Sequence, residues 1–575
     1  TRYIGVTGVQ TCALPISLGD GIFRDTAWLQ ASYREPEDFA AALMNYPADL
    51  DGAPRKSDLE SGYDFYHDLV LRHVAEDGPA LLWLGLDRRW QRLSYRALHG
   101  LCTQRRDEWT RRGVRAGERL CVLAELGVEL LVSLFTGLRM GLELSLLPPL
   151  GADFLARRLS VLTPNWVATA KRYRPLLSAE LGELALVAEA SGGPLDLAVG
   201  DSTSHTYDPD ATALRLFSLT HEPVEEPVAV SAAAAYHAAL RDGLLLLGLN
   251  AGEVVAVAAP HLLQVQPALL FTVMLRRAAL LQLTDGDLTR LAQADDSGIR
   301  FPPVQVLFAN AALRRAMLQR PPGALFDGLR LRISSPQEAP EDNQWRAWAA
   351  HCGLERTAAL SLLYDTACGG SVLFSLRRLG MPPAYLMPTP GRPFELRQPD
   401  GTDGPADPGP GIYQPAPRAA QLILGRVDGG YIYAGTMQPT RDGRIYPRAE
   451  LEKTVFSLPF VRGAMVVEQP SDRGRFSLLV FTGPETPAYA QAYLQQREMI
   501  VRQSVIQRLT PDHLPTQIIL SSVLPRLQSD GTIDRAWCTQ QFLCGELGQR
   551  AKSPIFALLD RLVLALSPSE QRKGS

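Results

Sequence analysis

Hydroxyl and carboxylate side chains crowd one short stretch of the chain, Ser218-Leu219-Thr220-His221-Glu222-Pro223-Val224-Glu225-Glu226-Pro227-Val228-Ala229-Val230-Ser231. It follows the apolar run Leu214 to Phe217 and precedes an Ala/Leu-rich segment, so it reads as a loop leading from a strand to a helix N-terminus. Such a loop holds a phosphate when glycines let the backbone approach and a lysine supplies charge. Ser218 and Thr220 offer hydroxyls, but the loop has neither glycine nor lysine, and Glu225 and Glu226 would repel a polyanion by roughly 1 to 4 kcal/mol per charge pair. On residue types alone, a solvent-exposed connection that binds nothing is the simpler reading.

Other catalytic constellations are missing. The chain has no Gly-x-x-x-x-Gly-Lys, His-Glu-x-x-His, Gly-x-Ser-x-Gly or Gly-x-Gly-x-x-Gly. His261, just beyond the strand-like run Glu253 to Pro260, is a candidate for an acyl pocket or a satisfied structural histidine. The apolar helix Gln264 to Arg276 could line an acyl tunnel, though as a buried core helix it needs no ligand. No metal site is expected: the seven cysteines are scattered without a Cys-x-x-Cys pair, which favours reduced thiols and a cytoplasmic location over a disulfide frame or zinc.

The positioning scaffold is large. At 575 residues the chain exceeds one core, and 46% hydrophobic with 21% charged residues describes a globular protein. A net charge of -3 leaves no electrostatic footprint for nucleic acid, and no apolar run is long enough to span a bilayer. Residues 1–17 are set aside, because Arg2 to Ser17 (RYIGVTGVQTCALPIS) closely resembles a translated sequencing adapter, and the apolar part is too brief for a signal peptide. Residues 18–78 read as an extension of loops and a few helical turns.

From Pro79 the pattern alternates. Strand Ala80 to Leu84, a helix opening at Leu93-Ser94-Tyr95 and running to about Arg112, strand Leu120 to Ala124, helix Val128 to Met140 and strand Leu142 to Leu147 indicate a parallel sheet covered on both faces. After the opening loop the alternation resumes with helix Ala232 to Leu247, strand Glu253 to Ala259 and strand Ala278 to Leu283. Strand Val304 to Ala309, helix Ala311 to Gln319, strand Leu329 to Ile333 and helix Asn343 to Cys352 complete a second doubly wound unit. Pro/Gly-rich turns between Pro382 and Tyr433 suggest a small barrel, and a compact α+β module follows Gly435.

In this order the landmarks resemble the adenylate-forming superfamily of acyl-CoA synthetases, aryl-CoA ligases, luciferases and peptide-synthetase adenylation domains. Arg92-Leu93-Ser94-Tyr95-Arg96-Ala97-Leu98, Gly113 to Leu120, Asp428 to Gly435 and Leu524 to Arg535 carry the likeness, over about Tyr63 to Trp537. The resemblance implies an α/β fold: a large N-terminal domain of two doubly wound αβαβα subdomains plus a small β-barrel, followed by a small mobile α+β C-terminal domain. It places the N-terminal domain at 79–434, the C-terminal domain at 435–540 and a tail at 541–575.

Members of that family make an acyl-adenylate from a carboxylate and MgATP, then commonly pass the acyl group to a thiol such as that of CoA. In register with them, Ser218 and Thr220 match hydroxyls of the triphosphate loop, Leu219 and Glu222 replace glycines, and the lysine becomes Glu225 or Glu226. The adenine side is represented by Ser335, Tyr364 and Asp365. Cys368 stands where a glutamate would help hold magnesium, a poor exchange because Mg²⁺ takes hard oxygen ligands. Read instead as a nucleophile, Cys368 has no paired histidine nearby in sequence, so a buried structural cysteine is the better account. The ribose carboxylate is replaced by Gln421 or Leu422, the hinge arginine by Thr436 and the catalytic lysine by Thr532. One preorganised donor is typically worth about 10² to 10³ in rate. The resemblance therefore implies a degenerate ligase, a pseudoenzyme that binds an acyl group or a partner such as an acyl carrier protein or an intact ligase. An active AMP-forming acyl-CoA or carrier-protein ligase, needing ATP, magnesium and CoA, and a non-adenylating acyl transferase subunit are the alternatives.

Overall fold

The computed structural model describes residues 27–44, 62–85, 87–149, 152–188, 203–217, 226–258, 267–284, 287–288, 290, 301–323, 326–336, 342–365, 368–375, 378–379, 385–397, 411–415, 421–427, 430–439, 445–468, 476–483, 491–508, 514–515, 517–527, 533–543 and 547. The chain divides into a larger unit, Thr1–Asp407 with Tyr413–Ala420 and Arg426–Ile432, and a smaller one, Pro408–Ile412 with Gln421–Gly425 and Tyr433–Ser575.

The larger unit holds two sheets. Strands β1 (Pro79–Leu84) and β2 (Trp90–Ser94) belong to the first. Strands β3 (Arg119–Leu123), β4 (Glu143–Leu147), β5 (Trp166–Ala170), β6 (Ala185–Ala188), β7 (Thr212–Leu216) and β8 (Val228–Ser231) make the second, in the order β6-β5-β3-β4-β7-β8. Strands β9 (Val254–Ala258), β10 (Ala279–Leu283), β11 (Val306–Phe308), β12 (Leu331–Ser334), β13 (Ala358–Asp365), β14 (Gly370–Phe374), β15 (Arg378–Leu379) and β16 (Met387–Pro388) return to the first. Its order is β16-β14-β13-β12-β11-β9-β10-β1-β2, with β15 on β13. The β9, β10, β11, β12 and β13 pairings are parallel, and most of the residues in these strands are buried and apolar, as in a sheet covered on both faces.

Local signals set the helices. The Ser94 side chain accepts from the Ala97 amide and begins helix Tyr95–Arg111; Ser231 does the same from Ala234 for helix Ala232–Arg241. Helix Val128–Met140 ends at Gly141, whose φ of 76° and contact with the His205 ring, 2.6 Å from where a Cβ would sit, leave no room for a side chain. Helix Ala268–Leu275 is apolar all round and all of it is buried, a core helix. The main core is built on these helices and also takes in Leu29, Phe39, Tyr63, Phe65 and Tyr66 from upstream of β1. Each such side chain is worth about 1.5–3 kcal/mol on burial.

Two expectations need correction. The stretch up to Ser231 is not loop throughout: Val228–Ser231 is strand β8, antiparallel to β7 with Leu214 opposite Val230. Residues 218–225 thus join two antiparallel strands and do not open directly onto a helix. The Ala232 helix runs as α-helix only to Arg241 and continues as a π-turn, Asp242–Leu246.

In the smaller unit, β17 (Gly411–Tyr413), β18 (Gln421–Val427), β19 (Gly430–Pro439) and β20 (Ile445–Pro447) precede β21 (Gly463–Glu468), β22 (Phe476–Phe481) and β23 (Gln517–Ser521); the division between units falls within the first three. The last three form one sheet, packed on helices Arg448–Phe456 and Gln491–Arg508 through Leu451, Val455, Leu478, Val501 and Val505. An α/β chain of one large and one small unit is the fold class expected.

Candidate functional site

Parallel strands β9, β11 and β12 end side by side, with β13 running on past them to Asp365, and ligands of open α/β sheets bind at such carboxyl ends. Ser334 in β12 lies opposite Ser361 in β13, their hydroxyls 3.4 Å apart, so Ser335 and Tyr364 emerge from neighbouring strands. Phe308, closing β11, sets its ring 6.4 Å from that of Tyr364. Cys368 follows in the turn to β14, and a Cβ on the next residue, Gly369, would lie 3.1 Å from Val230 Cγ1. Gly369 is thereby set against Val230 of β8.

Beneath it lies a buried polar network. Gly370 admits the helix below: a Cβ there would stand 2.9 Å from the Ala238 Cβ and 3.2 Å from both Arg241 Nη2 and Asp242 Oδ2. Arg241, 5% exposed, pairs with Asp242 at 2.8 Å and donates to the Ser371 carbonyl and hydroxyl, each at 3.2 Å. Asp242, fully buried, accepts from the Ser371 hydroxyl and amide. Arg392 donates to the Cys368 carbonyl at 2.6 Å and the Ser371 carbonyl at 3.3 Å. Burial pulls the Arg241 guanidinium below its usual range, opposed by Asp242. A sequence signal existed: Arg241-Asp242 interrupts an Ala/Leu helix whose other core positions are apolar.

Tyr364 is held above this network. Burial, with the charge of Asp242, drives its phenol well above the ordinary value, and its sealed Oη has no hydrogen-bond partner. Cys368 is 4% exposed, and burial pushes its thiol up to about 12, so it is protonated at neutral pH. A protonated thiol is neither nucleophile nor hard-cation ligand. Among the described residues no group of three or more His, Cys, Asp or Glu is placed to hold a metal ion. Among the described residues, the protonated Cys368 thiol does not fit magnesium.

The remaining sequence candidates divide. Asp365 is buried at the end of β13, and Glu226 is exposed before β8. Ser218, Thr220, Glu225, His261 and Thr532 lie outside the described residues, as does the side chain of Gln421, whose backbone is in β18. Beside Thr532, Ile533 bridges Leu527, and Arg535 donates to Glu452 Oε1 at 2.9 Å, so the arginine retained in that motif pairs with a carboxylate of the smaller unit.

Solved structures show the fold: the chain shares it with CoA synthetases and ligases and with an adenylate-bound A-PCP protein. It is similar to acetoacetyl-CoA synthetase from Streptomyces lividans, 15% identical with a TM-score of 0.65 and 96% of each chain covered. A benzoate CoA ligase from Burkholderia xenovorans LB400 is 17% identical with a TM-score of 0.58, over 83% of this chain and 100% of that one. McyG A-PCP, solved with phenylalanyl-adenylate, is 13% identical with a TM-score of 0.61, over 88% and 86%. No protein-family model matches the sequence, and no curated protein matches it.

Proposed function

We propose that this chain is an AMP-dependent ligase-like protein that has lost adenylate-forming chemistry and acts in the cytoplasm as an acyl-binding or partner-binding subunit. Cys368 carries the reading: at the edge where the resemblance expects a magnesium-binding carboxylate, the chain has a sealed, protonated thiol over a cationic network. Glu225 and Glu226 in place of the loop lysine, Gln421 in place of the ribose carboxylate and Thr532 in place of the catalytic lysine agree with it. Together these remove the groups that would neutralise a triphosphate and its developing charge. An acyl carrier protein suits the partner role, since one protein of this fold was solved as an A-PCP unit.

Calorimetric titration of ATP and AMP, with ATP–pyrophosphate exchange over a carboxylate panel, tests this. Neither nucleotide should bind and no carboxylate should support exchange. Robust exchange that disappears in Tyr364→Ala would establish an active ligase instead.

A further inference from the structure

Away from that edge, one face of β12 carries a buried guanidinium, two of whose nitrogens find no acceptor among the described residues. Arg332 stands in register between Leu307 of β11 and Ala359 of β13, on the face covered by Trp345, Trp348 and Cys352. It is 2% exposed, and its guanidinium carbon lies 5.6 Å from the ring centres of both tryptophans. Its Nε and Nη1 are sealed from solvent with no acceptor, and so is Trp348 Nε1. A second buried guanidinium, Arg314, sits 4.8 Å from the Trp345 ring and donates to the Ala309 carbonyl. Glu355, the carboxylate whose charge is felt at Arg332, is exposed.

Ring faces attract a cation but accept nothing in the guanidinium plane, so the tryptophans leave the Arg332 Nε and Nη1 hydrogens unanswered. Burial pulls Arg332 down to about 10, which still leaves it charged at neutral pH. A buried water could accept from these donors but would leave the guanidinium charge uncancelled. Everything these atoms present is a donor, so the matching group accepts only, is negative, and is small enough for a close-packed layer between sheet and helix. We propose that Arg332 and Trp348 form a buried site for a small inorganic anion of the halide class, held as a structural ion between β12 and helix Asp342–His351.

Bromide is the probe. The full chain is unfolded thermally at constant ionic strength while sodium gluconate is exchanged for sodium bromide, and bromide-soaked crystals are measured at the bromine absorption edge. The Tm should rise by about 2 °C per tenfold bromide once the site is filling. An anomalous peak should lie within hydrogen-bond distance of Arg332 and Trp348 Nε1. Arg332→Met, which removes the charge and keeps an apolar stem, should abolish the bromide response whether or not it changes the starting Tm. Equal Tm in the two salts, a crystal with no bromine peak at Arg332, or density showing a carboxylate of the chain there would each overturn the proposal. If Arg332→Met fails to fold, the crystal measurement on the unaltered chain decides.

Discussion

The Ser371 hydroxyl donates to Asp242 Oδ1 at 2.7 Å while the Ser371 amide donates to Oδ2 of the same carboxylate at 2.9 Å. One buried acid therefore ties the Ala232 helix to β14 and neutralises Arg241. Removing it strands a buried guanidinium: Asp242→Ala should lower the unfolding free energy by about 3–5 kcal/mol. Ser371→Ala should cost less, about 1–2 kcal/mol, since Asp242 keeps Arg241 and the amide. Urea denaturation of both variants measures the difference, and near-wild-type stability of Asp242→Ala would show the network to be dispensable.

Two buried histidines make stability depend on acid. Burial, helped by Arg72, pulls His73 down to about 3, and burial with Arg241 pulls His237 down to about 4. His73 Nε2 donates to the Met274 carbonyl at 3.0 Å, and His237 Nε2 lies 3.0 Å from the Tyr63 hydroxyl. Below pH 6.5 the unfolded chain takes up protons that the folded one refuses, so their contribution is whole above that pH and shrinks toward pH 3–4. Between pH 6.5 and 5 each histidine should cost about 1–2 kcal/mol. The pH slope of the urea midpoint should be shallower in His73→Gln and in His237→Gln, and an unchanged slope would contradict the assignment.

The described cysteines should be inert in the native protein. Cys102, Cys121, Cys352, Cys368 and Cys538 are all buried, and burial raises Cys368 to about 12 and Cys352 to about 11. With iodoacetamide at pH 8, peptide mapping should find Cys368 unmodified in buffer and modified in urea. Rapid native labelling of Cys368 would bring back its reading as a nucleophile.

In the smaller unit, Glu452 matters more than its partner. Its Oε1 accepts from the Val466 amide at 2.8 Å and from Arg535 Nη1 at 2.9 Å, whereas the Arg535 side chain is 38% exposed. Arg535→Ala should cost about 0–1 kcal/mol because water screens the pair. Glu452→Ala should cost about 1–3 kcal/mol because a part-buried amide loses its acceptor. The order of the two urea midpoints checks this.

Much of the scaffold was legible. Helix Val128–Met140 follows from its apolar run and Gly141, and Ser94 announces the helix that it caps. Harder to read was anything that depended on a partner strand. Trp90–Ser94 pairs with β1, and Val228–Ser231 pairs with β7, yet neither short segment alternates strongly enough to announce a strand.

By itself the sequence determined the alternating α/β order, the helix starts at Ser94 and Ser231, and the absence of lysine and glycine from the loop at 218–226, because periodicity, capping and residue type are local properties. Only the tertiary structure decided that Cys368 is sealed and protonated, that Asp242 is spent on Arg241 and Ser371, and that Arg332 is enclosed with Trp345 and Trp348. Those outcomes depend on which distant segments exclude water from a side chain and which donors or acceptors they bring with them. Arg330, just before β12, and Arg332, within it, show the difference: Arg332 is enclosed with tryptophans, whereas Arg330 is paired with Glu253 at 2.6 Å.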